Sequence, residues 1–557
     1  MNRTKFEVGL IIFYVTSLAL NFHNLVLNSN EIFFSGDALQ HQYWFQLISQ
    51  TNLIYIDNNI ASPVGDSIWS NPQLGLFISV LALVLQDIFH FNSSQGLILV
   101  FLILGTINFI FTLKLARIIR LNFVLTTLLS LTIGLSPFYL EKIGALGVAA
   151  FYPLIAVIIT LISSQTKVYE NLTREYFSLF IIIFTASFWW LVLIAAVLVP
   201  VLIVQFIYYL IFRNVNSIFK YWLNLFFITY GSLAFYFLLF HQYSRLRGQN
   251  RWQPWQSEIF SGKFSDLLLG SPLLTSLVPS FMSSLSGGTS PGAIGDRLGF
   301  IQTLGVFFLV FFILIYMIAD TPTKSNDYWI KHLAFIGLVL ILFYVTGGFG
   351  NLTSGLLILF DQTSPIRAWS RLNVVLSLTG LLILSFYLQK YSSNKVQILV
   401  TTAFITFTFA DVLFTQKPVI NRVSDSMEYQ VNKYVSENVS ACKILQIPVD
   451  TQPIPQDYLN ENNGDFYYTG YKQFILNPEL SWSFGNWTHS YGWLYEASIP
   501  TVLDRKWLHE RNENICGVIY DKEFAKWRQI SAEDWPGLKV NLGHPSFSNL
   551  RYDFYLI

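Results

Sequence analysis

Charge is what this chain has least of. Only 12% of its 557 residues are Asp, Glu, Lys or Arg, about half the roughly 25% of an ordinary soluble chain. So little charge cannot solvate the surface of several globular domains, so a membrane protein is expected. Cysteine is nearly absent: two residues exclude a disulfide-dense scaffold or a Cys-based zinc cluster. A basic excess is missing too, with 34 Lys+Arg against 33 Asp+Glu, which argues against nucleic acid as a partner. Internal repeats and heptads are also lacking. A channel, a transporter and an enzyme remain open.

What is abundant is apolar sequence, 53% hydrophobic with 50 Phe. Eleven runs approach the ~20 residues needed to cross a bilayer core: Leu10 to Leu27, Leu97 to Ile118, Phe123 to Leu140, Gly147 to Ser163, Phe177 to Trp190, Leu191 to Phe212, Tyr221 to Phe240, Ile301 to Ala319, Lys331 to Thr346, Trp369 to Leu388 and Val396 to Phe414. A twelfth, residues 73–91, is apolar enough to span, but the positive-inside rule argues against it. With Arg3 and Lys5 inside and 73–91 at the outer surface, the pairs and clusters Lys114/Arg117/Arg120, Lys167/Arg174, Arg213/Lys220, Lys324/Lys331 and Lys390/Lys395 all become cytoplasmic. If 73–91 spans, every one of them moves outside. The first run lacks a small-residue cleavage site, so a cleavable signal peptide is not expected.

The expected architecture is mainly α: a polytopic transmembrane helical bundle of about 11 spans over residues 1–415, then a small α/β extracytoplasmic domain over 416–557. The N-terminus is expected in the cytoplasm of a bacterial inner or plasma membrane. Beyond Gln416 the long apolar runs stop, and alternating stretches such as Lys443 to Ile447 and Cys516 to Tyr520 read as strands. Cys442 and Cys516 sit one beside each strand. In an oxidising compartment they are read as a disulfide, the alternative being two buried thiols. Trp482, Trp487, Tyr491, Trp493 and Trp507 offer faces for sugar stacking or simply pack a core. Asn438 and Asn486 head Asn-x-Ser/Thr sites, frequent by chance in an Asn-rich chain.

Charge is segregated along the outer side. The first outer loop, 28–95, has no Lys or Arg and carries Glu31, Asp37, Asp57, Asp66 and Asp87. Asp37, in Gly36-Asp37-Ala38-Leu39-Gln40-His41, follows the first span by about ten residues. Such a carboxylate must be paired from elsewhere, bind a cation or act as a base, unless it is a helix N-cap. Asp66, after Pro63-Val64-Gly65, reads as a turn residue or a second acid. Glu141 closes the third span beside Lys142. With Asp37 it offers the hard oxygen ligands suited to Mg²⁺ or Mn²⁺ on phosphate, and with Lys142 a plain interfacial ion pair.

The outer loop 241–300 is instead basic, with Arg245, Arg247, Arg251, Lys263 and Arg297 interleaved with Trp252 and Trp255. Long loops partly escape the charge rule; otherwise these Arg forks suit phosphate oxygens. Arg367 and Arg371 lie one turn apart at the mouth of the tenth span, where an anionic lipid head group is a natural partner.

Taken together these stretches resemble the GT-C superfamily of membrane glycosyltransferases. The resemblance rests on Gly36-Asp37, the Pro63-Val64-Gly65 turn with its following surface helix, Ser136-Pro137 with Glu141, and Ser364-Pro365-Ile366-Arg367-Ala368-Trp369-Ser370-Arg371, which looks like the P-x-R-x-x-x-R segment of bacterial members. Gln446-Ile447-Pro448 and Trp482-Ser483-Phe484-Gly485 look similar to segments of bacterial relatives with an extracytoplasmic domain.

The resemblance implies a polyprenyl-phosphate-linked sugar as donor and a glycan, lipid or protein acceptor at the outer face of the bilayer. It implies Asp37 as catalytic base and Glu141 as a metal ligand where a metal is used, with Asp37 a second one; the residues expected to bind substrate are His41, Asp66, Lys142, Arg245, Arg247, Arg367 and Arg371. Many bacterial relatives have Gly-His where this chain has Gly144-Ala145. His41 and His241 are substitutes by topology only. The competing expectation is a transporter, flippase or polymerase of lipid-linked glycans, which would not use Asp37 as a base; a non-catalytic scaffold displaying the outer domain is the third.

Overall fold

The computed structural model describes residues 2–29, 32–34, 37–51, 74–166, 172–212, 217–240, 272–273, 298–318, 328–344, 369–415, 418, 420–440, 442–447, 469–482, 506, 508, 514–527 and 542–557. It is mainly helical. In chain order the elements that matter below are α1 (Arg3–Asn21), α2 (His23–Leu27), β1 (Ile32–Phe34), α3 (Asp37–Thr51), α4 (Gly75–Asp87), α5 (Ser93–Ile118), α6 (Phe123–Gly134), α7 (Pro137–Leu140), α8 (Leu146–Ala149), α9 (Tyr152–Thr166), α10 (Leu172–Thr185), α11 (Phe188–Phe212), α12 (Ser217–Phe240), α13 (Phe300–Ile318), α14 (Tyr328–Tyr344), α15 (Asn373–Tyr391) and α16 (Asn394–Phe414). Then follow β2 (Ile420–Arg422), α17 (Met427–Asn438), β3 (Lys443–Ile447), α18 (Thr469–Leu476), β4 (Ser481–Trp482), β5 (Ile515–Asp521), α19 (Lys522–Trp527), β6 (Phe547–Ser548) and β7 (Tyr552–Leu556).

Among the described residues five helical stretches are long and apolar enough to cross a membrane: Ser93–Ile118, Phe123–Leu140, Leu146–Ser164, Asn373–Tyr391 and Asn394–Phe414. The last is only 22% buried, and it turns Ile398, Leu399 and Leu413 outward. An apolar helix left bare by its neighbours is a lipid-facing one. α4 is 13 residues long, about 20 Å at ~1.5 Å per residue, short of the ~30 Å hydrocarbon core.

Local chemistry sets the breaks. Asn92 caps α5 in a capping box with Gln95, and Asn122 caps α6. The third apolar run is interrupted at Leu135 and Ser136: the Ser136 hydroxyl accepts the Tyr139 N–H, with Pro137 at the first helical position where no donor is needed. The chain therefore leaves its axis before Glu141, which caps the C-terminal end of α7. Between α10 and α11 the break falls at Ala186 and Ser187, a few residues earlier than the hydropathy boundary after Trp190. Gly75 packs there with φ +76°; a Cβ on it would strike the Ala186 backbone, so only glycine fits.

Polar groups fasten the opposite end of the bundle. Glu7 takes Arg3 at 3.0 Å and Arg117. Asn122 ties two further helices there: its Nδ2 donates to Gln397 and its backbone N–H to Gln389.

After α16 the chain builds a mixed five-stranded sheet of order β4-β3-β5-β7-β6, with β3 parallel to β4 and β5, and β7 antiparallel to β5 and β6. The two stretches read as strands from their alternation are β3 and β5. Cys442 and Cys516 join them by a disulfide with Cα atoms 6.0 Å apart, closing 74 residues of sequence. Replacing both by serine is expected to lower stability by about 4 kcal/mol, the loop-entropy value for a ring of that size. A chemical denaturation midpoint unchanged by reduction would contradict this.

A second, two-stranded ladder was not read from the sequence. β1, between α2 and α3, pairs antiparallel with β2, which follows α16, in the register Ile32↔Arg422, Phe33↔Asn421, Phe34↔Ile420.

Candidate functional site

The acidic loop enters the bundle through α3. Asp37 is its first residue; the Asp37 side chain lies outside the described residues, as do Asp66, Arg245, Arg247, Arg367 and His241. One turn after Asp37, His41 is buried, and its Nε2 accepts the Leu146 N–H at 3.2 Å. That contact makes His41 a strut between α3 and the segment after Glu141, and it fixes the ring as the tautomer protonated at Nδ1. α3 also packs against the 3-10 turn Lys142–Gly144. Lys142 is buried, with Nζ 5.4 Å from the centre of the Phe138 ring. The two acidic loops of the sequence reading are therefore neighbours in space.

From there a run of contacts reaches the second Arg pair. Ser187 Oγ donates to the Gly147 carbonyl at 2.6 Å, which ties the start of α11 to α8. Two residues on, the Trp189 ring lies 4.3 Å from Arg371 Cζ. A guanidinium stacked on an indole face is held in place with its charge kept. On the other side of this break the Tyr236 hydroxyl donates to the Ala186 carbonyl and accepts the Leu76 N–H, both at 3.3 Å. One end of the bundle thus gathers the start of α3, the Glu141–Lys142 turn, α8, the start of α11 and Arg371.

Among the described residues no three His, Cys, Asp or Glu side chains gather as a metal-binding group. Trp482 is fully buried and its indole N–H donates to the Asn477 carbonyl at 2.9 Å, the core-packing alternative; Trp487, Tyr491, Trp493 and Trp507 lie outside the described residues.

Two buried polar residues escaped the sequence reading. Gln42 spans both free groups on one edge of β1, accepting the Phe34 N–H and donating to the Ile32 carbonyl, each at 3.2 Å. Asp411, buried in α16, accepts the Leu273 N–H at 3.2 Å and the Phe300 N–H at 2.5 Å, so it anchors the first turn of α13. A carboxylate inside an apolar run was the signal for it.

Solved structures decide the fold. Mycobacterial arabinofuranosyltransferase AftD matches over 94% of this chain at a TM-score of 0.51 and 13% identity, and its R1389S mutant at 0.52 and 12%. The chain has the fold of the GT-C glycosyltransferases. Its GT-C fold spans only 35% of the AftD chain, or 37% in the mutant structure. Lower TM-scores are given by the Archaeoglobus fulgidus oligosaccharyltransferase (0.46; 12% identity; 95% of this chain, 70% of that one) and by ArnT from Cupriavidus metallidurans bound to undecaprenyl phosphate (0.42; 10% identity; 98% of each chain). No protein-family model and no curated protein matches this GT-C fold chain by sequence.

Proposed function

We propose that the protein is a membrane glycosyltransferase that moves a sugar from a polyprenyl-phosphate donor to a glycan, lipid or protein acceptor on the outer face of the membrane. The observation that carries this reading is the meeting of α3, which begins at Asp37, with the Glu141–Lys142 turn at the end of a GT-C fold where Arg371 stacks on Trp189. The likeness to a mycobacterial arabinofuranosyltransferase supports the same class. The reading includes about eleven spans, a cytoplasmic N-terminus and a C-terminal α/β domain outside a bacterial inner or plasma membrane; the disulfide supports an oxidising compartment for that domain.

In this reading the acceptor oxygen attacks the anomeric carbon while its proton passes to the Asp37 carboxylate. The bond between the anomeric carbon and the phosphate oxygen breaks with inversion, and its electron pair leaves on polyprenyl phosphate. Phosphate is a good leaving group, so one carboxylate suffices where a glycoside hydrolase needs two. Arg245, Arg247, Arg367 and Arg371 hold the phosphate charge. Where a divalent ion takes part, Asp37 and Glu141 are the hard oxygen donors for Mg²⁺ or Mn²⁺, which neutralises phosphate charge. Asp66, His41 and Lys142 are assigned to substrate binding in the same reading.

Arg371 gives the test. Arg371→Ala is expected to raise KM for a polyprenyl-phosphate-linked sugar roughly tenfold to a hundredfold, the weight of a charge-assisted hydrogen bond. Arg371→Lys should recover only part, because it keeps the charge and loses the planar fork. Wild-type KM in the alanine variant would remove Arg371 from the donor site.

A further inference from the structure

β1 is gripped from every side, and each grip belongs to a different part of the chain. Backbone groups of successive strand residues face opposite edges, so Ile32 C=O and Phe34 N–H share one edge, and the Gln42 amide of α3 closes both. The other edge is closed by β2. Phe33 lies under Lys472 of α18, Nζ 5.6 Å from the ring centre. Next to it Tyr471 stacks on Tyr43 of α3, centroids 4.0 Å apart and planes 13° from parallel, with Phe474 edge-on at 5.6 Å. All of β1, Tyr43 and Tyr471 are buried.

α18 is itself held firmly. Asn432 of α17 donates to the Gln473 carbonyl at 3.0 Å. Lys472 reaches Glu428 at 3.5 Å, and Glu428 also takes Arg551 at 3.2 Å and the Tyr552 hydroxyl at 3.1 Å. Arg551 in turn holds Asp521 of β5 at 2.7 Å. Burial alone would disfavour the Arg551 charge, but Tyr552, Asp521 and Glu428 outweigh it and shift its pKa upward. Phe34 and Asp37 are separated by two residues, so the two ends of the Ser35-Gly36 stretch are anchored on elements that the region after α16 clamps.

We propose that the region after α16 is the positioning element of the acidic loop, with Tyr471 and Gln42 as positioning residues that set where Asp37 begins α3. This rests on the reading of Asp37 as the base. A general base works only within hydrogen-bond reach of the proton it takes, and a misplacement of about 1 Å is enough to cost two orders of magnitude in rate. Anchoring from the far end of the chain makes the loop competent only when the sheet is folded and docked.

Hydrogen exchange on the full chain in lipid nanodiscs tests this. Tyr471→Ala is expected to raise exchange at 32–34 and in the first turn of α3 roughly tenfold, the scale of an aromatic stack, while amides of β3 and β5 keep their protection. Tyr471→Phe, which keeps the stacked ring, should match wild type. For transfer of sugar from a polyprenyl-phosphate donor, Tyr471→Ala should lower kcat and leave the donor KM unchanged, a split that general destabilisation does not give. Unchanged exchange at 32–40 in the alanine variant overturns the proposal, and so does Tyr471→Phe loosening the loop as much as alanine. If the alanine variant loses protection in β3 and β5 as well, Tyr471→Leu decides by the same two criteria. A wild-type protein that transfers no sugar would defeat the assignment of Asp37, while the exchange result still judges the clamp.

Discussion

Asp37→Asn is expected to slow sugar transfer by roughly a hundredfold to ten-thousandfold, the usual contribution of a positioned general base. The amide keeps the shape of the carboxylate and its capacity to accept a hydrogen bond at the head of α3, so folding should survive. The informative comparison is kcat against the melting temperature and the affinity for polyprenyl phosphate. A fall in kcat with the other two unchanged assigns Asp37 to chemistry. A variant that binds and transfers as wild type would leave Asp37 as a helix cap, and a variant that melts early would make it a structural anchor.

A further loss of stability is expected where α13 and α15 cross. A Cβ on Gly380 would run into the Gly305 carbonyl, and one on Gly305 would come 2.8 Å from Leu381 Cγ and 3.2 Å from the Ser377 carbonyl. The two backbones touch through a pair of glycines, the arrangement that lets apolar helices approach where burial from water offers no drive. Gly380→Ala is expected to cost about 1–3 kcal/mol, in the range of core overpacking, and Gly380→Leu to prevent the crossing. Monodispersity in detergent and the melting temperature of the purified chain report it. Gly231, whose Cβ would meet nothing within 4 Å, is the control, and its alanine variant should behave as wild type. Equal melting of Gly380→Ala and wild type would contradict the crossing.

The helices were legible because lipid and hydrophobicity act over ~20 residues at a time. Over their described residues the apolar runs named from the sequence fall on helices, several of them on two with a break between, as at Phe22, Leu135–Ser136, Ala150–Phe151 and Ala186–Ser187. Even there Ser136-Pro137 was visible as a motif. What the sequence hid is contact across long separations. β1 and β2 are three residues each, too short for an alternating pattern, and neither end signals the other. The Gln42 clamp, the Arg551 cluster and the Gly305–Gly380 contact depend in the same way on partners that only the fold supplies. Asp37 was singled out because its loop carries no Lys or Arg, and Glu141 because a carboxylate is conspicuous at the end of an apolar run. That their segments meet through His41 and Leu146 is a finding of the fold.

The most direct test of the central claim is to reconstitute the purified chain in vesicles carrying polyprenyl phosphates linked to a panel of hexoses and pentoses, and to follow both the sugar–phosphate bond and the side of the bilayer on which the sugar lies. The account predicts that one donor is cleaved to free polyprenyl phosphate by wild type and not by Asp37→Asn. Passage of the intact lipid-linked sugar across the bilayer, equal in both proteins and with no polyprenyl phosphate released, would contradict it and identify a transporter.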